Sequence, residues 1–129
     1  MAAMALRYRI DAAAGVVTIT GDYAEAGEWR RLLTMVMHDP EYQRGFSFIR
    51  DLRSSEHPVS AETVIAIIGV VRDFWGKLGA HRAAIVTRPG IDNPAMVAHA
   101  LADHQHIPLR AFSAIEDAVA WVRRHDEPA

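Results

Sequence analysis

Residues 46–52 read FSFIRDL, residues 64–71 read VIAIIGVV and residues 82–87 read RAAIVT. The first and third stretches are short, apolar and bounded by polar or turn residues, which predicts buried strands. The middle stretch belongs to a longer run with apolar residues at helical spacing, ending near Leu78. A strand, an apolar helix and a second strand in this order predict a βαβ unit in a parallel sheet.

Two strands and a helix precede this unit. Residues 7–11 alternate polar and apolar side chains and residues 16–20 read VVTIT, which together predict an antiparallel hairpin. Apolar residues then recur at helical spacing over residues 26–37, and Pro40 ends this helix.

A third helix, a short strand and a last helix follow. The residues predicted to cap the last three helices are Ser60, Asn93 and Ser113, and Gly79 is predicted to end the second helix. The element order β-β-α-β-α-β-α-β-α predicts a single α/β domain over residues 1–129, with residues 1–6 and 126–129 frayed. We expect a mixed, mostly parallel five-stranded sheet with four helices, lying mostly on one face because Thr18, Thr20 and Ser47 make the other face polar.

Composition excludes several classes of function. The chain has 129 residues, a formal charge of −2 and no cysteine. Disulfide scaffolds and thiolate chemistry are therefore excluded, and the charge argues against nucleic-acid binding. The longest apolar run, residues 64–71, is far shorter than the ~20 residues that span a bilayer. We expect a cytoplasmic protein with no transmembrane segment.

Three stretches carry a family resemblance: GVVTITGDYAEAGEWRRLLTMV (15–36), FSFIRDL (46–52) and HRAAIVT (81–87). With the element order, they resemble the STAS domain family, the sulfate transporter and anti-sigma factor antagonist domains. They look most like its small stand-alone bacterial branch, similar to the sporulation anti-anti-sigma factor. The resemblance implies a non-enzymatic regulatory module that binds a protein partner, or a nucleotide or lipid at one end of the sheet.

The same resemblance implies a phosphorylated serine at the start of the second helix, a place that Ser60 occupies. The family has an acidic residue before its serine pair and a glycine after it, whereas Ser60 lies between Val59 and Ala61. Phosphoregulated partner switching at Ser60 is therefore an alternative hypothesis. Added negative charge is favourable at a helix N-terminus.

Loops that follow parallel strands converge at one edge of the sheet, where helix N-termini attract anions. Polar side chains in these loops predict a site for a small anionic or lipid-like ligand, or for a regulatory protein partner, with no cofactor. The predicted ligand-binding residues are Arg53, Ser54, Ser55, His57, Arg88 and Asn93.

Two further chemistries are alternatives to this interpretation. Asp51, Ser54 or Ser55, and His57 contain the residue types of a serine hydrolase triad, but the Gly-x-Ser-x-Gly elbow is absent. His99 and Asp103 have a spacing that metal ligands use, but a solvated helix end explains them better, so no metal is predicted.

The first strand is predicted to lie at an edge of the sheet. Its arginines discourage pairing with another strand, so a homodimer is expected to use a helix face.

Overall fold

The computed structural model describes residues 6–22, 25–54, 60–88, 103 and 105–124. Within these ranges there are five strands and three helices. The strands are β1 (Leu6–Asp11), β2 (Val16–Gly21), β3 (Ser47–Asp51), β4 (Ala83–Val86) and β5 (Leu109–Phe112). The helices are α1 (Ala26–Met37), α2 (Ala61–Leu78) and α3 (Ile115–Val122).

The five strands form one sheet in the order β1-β2-β3-β4-β5. β1 is antiparallel to β2, and every other neighbouring pair is parallel. The predicted α/β class and mixed, mostly parallel sheet are therefore confirmed. The predicted helix that starts near Asn93 lies outside the described residues.

α1 and α2 pack together on one face of the sheet, the α1/α2 face, whereas α3 lies on the opposite face, the α3 face. The connections β2-α1-β3 and β3-α2-β4 step across the sheet in the same direction, and right-handed crossovers then place both helices on one face. α3 follows the last strand and does not connect two parallel strands, so the crossover rule does not place it on the α1/α2 face. The expectation that the helices lie mostly on one face thus holds for α1 and α2 and not for α3.

Each face carries its own apolar core. Val17, Ile19 and Phe48 belong to the core beneath α1 and α2. Their neighbours Val16 and Ile49 point the other way and join the core beneath α3, because side chains alternate across a strand.

The polar position Ser47 had suggested an open face. Ser47 is instead 1% exposed, and its hydroxyl donates to the Val122 carbonyl of α3 at 3.0 Å. A buried hydroxyl is tolerated where such a partner is present.

The helix ends show which predicted caps form. The Ser60 hydroxyl accepts the backbone N–H of Thr63 at 3.1 Å, as predicted for an N-cap. Gly79 ends α2 in the left-handed conformation with φ +60°, which is also as predicted. The predicted cap at Ser113 is wrong: Ala114 is the N-cap of α3 and makes no side-chain cap bond, because the helix begins one residue later than the pattern indicated.

Candidate functional site

An apolar cavity of about 90 Å³, partly open to solvent, lies on the α1/α2 face between the helices and the sheet. Strand residues Ile19, Phe48 and Ile85 lie on its sheet side, and helix residues Leu33 and Ile67 lie opposite them. Tightly packed interiors contain few voids larger than a water molecule. A cavity of this size in the main core is therefore a candidate ligand site.

Trp29 of α1 lines this cavity and is 5% exposed. Its indole Nε1–H is buried and donates to no acceptor among the residues that the structure describes. Buried indole N–H groups usually find a partner, since leaving one unpaired costs free energy. The wall of the cavity therefore includes a tryptophan whose buried donor has no described acceptor.

Arg50 supplies a positive charge at the same cavity. It lies on β3, is 8% exposed, and its guanidinium carbon is 5.4 Å from the centre of the Trp29 ring. Its Nη1 and Nη2 atoms donate to the carbonyl oxygens of Ile19, at 3.4 Å, and Asp22, at 3.1 Å. These contacts fix the guanidinium between the end of β2 and the start of α1.

Arg53, predicted to bind an anionic ligand, is held by Asp51. Its Nε and Nη2 donate to the two Asp51 carboxylate oxygens at 3.0 and 2.8 Å. Hydrogen bonds from the Arg53 side chain hold the pKa of Asp51 below its usual value. Both residues line a groove on the α3 face, so they lie on the opposite side of the sheet from the cavity.

Two other predicted ligand residues, Ser54 and Arg88, lie at one edge of the sheet. Asp51 of β3 is aligned with Val86 of β4, so the exposed Ser54 and Arg88 lie just beyond neighbouring strand ends. The predicted ligand residues Ser55, His57 and Asn93 lie outside the described residues. The structure thus brings Arg53, Ser54 and Arg88 to the predicted edge.

Ser60, the predicted phosphorylation site, is exposed at the N-terminus of α2. Its hydroxyl lies 3.0 Å from the Thr63 hydroxyl and also caps the helix. Phosphoregulation there stays a prediction.

The alternative chemistries gain no support from the described residues. The Asp51 carboxylate is occupied by Arg53, while Ser55 and His57 of the hydrolase hypothesis lie outside the described ranges. Over the part of the chain that the structure describes, no three His, Cys, Asp or Glu side chains cluster as metal ligands do. Nor does any helix in that part combine the length and hydropathy that crossing a membrane requires.

The chain matches no protein-family model, no curated protein and no solved structure. Its function is therefore inferred from the geometry of the site.

Trp29 and Arg50 were missed by sequence reasoning. The helical spacing of Trp29 indicates core packing, and the residue is indeed buried, but spacing carries no information about an acceptor for its N–H group. Arg50 falls within the predicted strand of residues 46–52, but no binding role is predicted for it. The signal for Arg50 is its register: it follows Phe46 and Phe48 at period two, and a charged residue on an otherwise apolar strand face is unusual.

Proposed function

We propose that this protein is a non-enzymatic, STAS-like binding module for a small amphipathic molecule with a short apolar body and a carboxylate head group. The observation that carries the proposal is Trp29, which lines an apolar cavity and whose buried Nε1–H has no acceptor among the described residues. The resemblance to STAS domains, some of which bind lipids at the same end of the sheet, agrees with it.

The cavity favours a ligand with an apolar body. The wall of the cavity is almost entirely apolar, so an apolar occupant gains free energy by removing this surface from water. A cavity of about 150 Å³ is enough for benzene, so the present one suits a short alkyl chain.

The polar groups at the cavity favour an anionic head group. A carboxylate oxygen accepts the Trp29 N–H and lies in the positive field of the neighbouring Arg50 guanidinium. Arg50 precedes Asp51, the last residue of β3, so the head group lies near the edge where the predicted ligand loops begin.

The test is a titration with butanoate, hexanoate and octanoate, followed by the indole N–H signals in a proton–nitrogen NMR spectrum. We expect the Trp29 signal to shift progressively while the Trp121 signal stays in place, because Trp121 belongs to the core on the α3 face. Affinity should rise about fourfold for each added methylene until the cavity is filled.

Trp29→Phe deletes the donor and keeps most of the ring, so it should weaken binding about fivefold. Trp121→Phe is the matched control and should leave the affinity unchanged. The proposal is wrong if none of the three carboxylates shifts the Trp29 signal, or if both substitutions change the affinity equally.

A further inference from the structure

A second concavity lies on the α3 face, where a groove of about 520 Å³ runs beside α3 over β1 and β2. Its wall toward α3 is formed by Ile115 and Val119, and Val16 and Ile49 also line it. α3 packs chiefly on β3, β4 and β5, so it covers only part of this face. The groove is thus apolar on the side of α3.

The β1 side of the groove carries charges in a definite order. Arg7 is paired in register with Thr20, near the carboxyl end of β2, and Asp11 is paired with Val16 at the other end. Arg9 lies between them, and all three β1 side chains are exposed. The β1 side of the groove is therefore basic at the Arg7 end and acidic at the Asp11 end.

The outer surface of α3 is acidic at the end where β1 is basic, and basic at the end where β1 is acidic. Glu116, Ala120 and Arg123 follow one another at helical spacing, and all three are exposed. Glu116 acts electrostatically on Arg53, beyond the end of β3, while Val122 contacts Ser47 at its start. Glu116 therefore lies at the Arg7 end of the groove, and Arg123 at the Asp11 end.

We propose that the groove is the docking site for α3 of a second copy of this chain, related by a two-fold axis parallel to the strands. Such an axis places the half of the sheet face that α3 covers in one copy opposite the half that is open in the other copy. Two strands spaced about 4.8 Å apart present a width of about 10 Å, which matches the diameter of one helix. The two α3 helices then lie side by side between two sheets.

Rotation about this axis does not change the position of a residue along the strand direction. Residues at the same position along the strands therefore face each other in the two copies, and their charges must be complementary. Glu116 meets the partner's Arg7, and Arg123 meets the partner's Asp11. Between them, the small Ala120 lies over the partner's Thr18. Each contact occurs twice, as a two-fold interface requires. A second copy thus satisfies both ends of the groove at once.

The experiment is sedimentation velocity of the full chain over a concentration series at low and high salt. We expect a reversible monomer–dimer equilibrium that weakens as salt rises, because screening reduces attraction between exposed charges. Arg7→Glu and Glu116→Arg should each raise the dimer Kd about tenfold, since each places like charges together at two symmetric positions.

The decisive variant combines Arg7→Glu and Glu116→Arg in one chain, which should return the Kd to within about threefold of wild type. Arg31→Glu reverses an exposed charge on α1 and should leave the Kd unchanged. A chain that stays monomeric at millimolar concentration in low salt overturns the proposal. So does a dimer that neither reversal weakens, or one that the combined variant fails to restore.

Discussion

The guanidinium carbon of Arg82 lies 4.8 Å from the centre of the Trp121 ring, and its Nη1 donates to the Trp121 carbonyl oxygen at 2.7 Å. Ser47 and His81 make similar bonds to the carbonyl oxygens of Val122, at 3.0 Å, and Arg124, at 2.7 Å. The last carbonyls of a helix have no partner within it. Three side chains from the start of the parallel strands thus hold the C-terminal end of α3.

Arg82→Ala should be among the most destabilising single substitutions. The side chain is 1% exposed, so truncation leaves a void and removes the donor to Trp121. We expect a loss of about 3 kcal/mol in the free energy of unfolding, measured by urea denaturation. Arg110 also lies over the Trp121 ring, at 5.4 Å, but is exposed. Arg110→Ala should cost no more than about 1 kcal/mol, and equal losses would contradict this account.

The two serines predicted to cap helices should differ in their effect on stability. Ser60→Ala removes the acceptor for the Thr63 N–H and should cost about 1 kcal/mol in thermal or urea unfolding. Ser113→Ala should have almost no effect, because Ala114 is the N-cap of α3 and Ser113 precedes it. A cost for Ser113→Ala as large as that for Ser60→Ala would show that Ser113 caps α3, as the sequence predicts.

Two glycines near the end of α2 should respond in opposite directions to alanine. Gly79 has φ +60°, and a Cβ there would lie 2.7 Å from the Arg44 guanidinium carbon. Gly79→Ala should therefore cost at least about 1 kcal/mol. A Cβ at Gly76 has nothing within 4 Å apart from its own helix, so Gly76→Ala should stabilise the protein by up to about 1 kcal/mol.

Combining Gly79→Ala with Arg44→Ala separates the two causes of the Gly79 cost. Removing the guanidinium should relieve the steric part and leave the backbone strain, so the two substitutions should be non-additive in urea denaturation. Strict additivity would show that Arg44 does not contribute to the cost.

Stability should fall at high pH because of Tyr42. Its hydroxyl donates to the Leu78 carbonyl oxygen at 2.8 Å, and burial raises the pKa of Tyr42 to about 12. The unfolded chain has an ordinary tyrosine pKa of about 10, so it ionises Tyr42 more readily than the folded protein does. The contribution of Tyr42 to stability is therefore fully present below pH 10 and is lost as the pH rises toward 12. We expect the free energy of unfolding to decrease from about pH 10 upward.

Tyr42→Phe tests this assignment. It should lower stability at neutral pH by removing the bond to Leu78, and it should flatten the decline at high pH measured by urea denaturation. Burial also raises the pKa of Tyr8, which bonds to Asp39, so some decline should persist in the variant. An unchanged slope in Tyr42→Phe would assign the decline to other groups.

Local patterns in the sequence were enough to predict the sheet and the apolar α2 helix. The antiparallel β1–β2 hairpin, the parallel order of β3 and β4, the cap at Ser60 and the end at Gly79 all follow from residues close together in the chain. Right-handed crossovers then determine the face of α1 and α2. These features depend on backbone preferences and side-chain periodicity, which a sequence displays directly.

The side of the sheet that α3 covers, and the partners of the polar groups, were decided only by the tertiary structure. Ser47 finds its acceptor 75 positions away in the chain, in Val122, and Arg53 is bound by Asp51 on the α3 face. Trp29 lines a cavity that residues from both helices and the sheet create together. Burial and long-range hydrogen bonding depend on distances between segments, and periodicity along the chain carries no information about those distances.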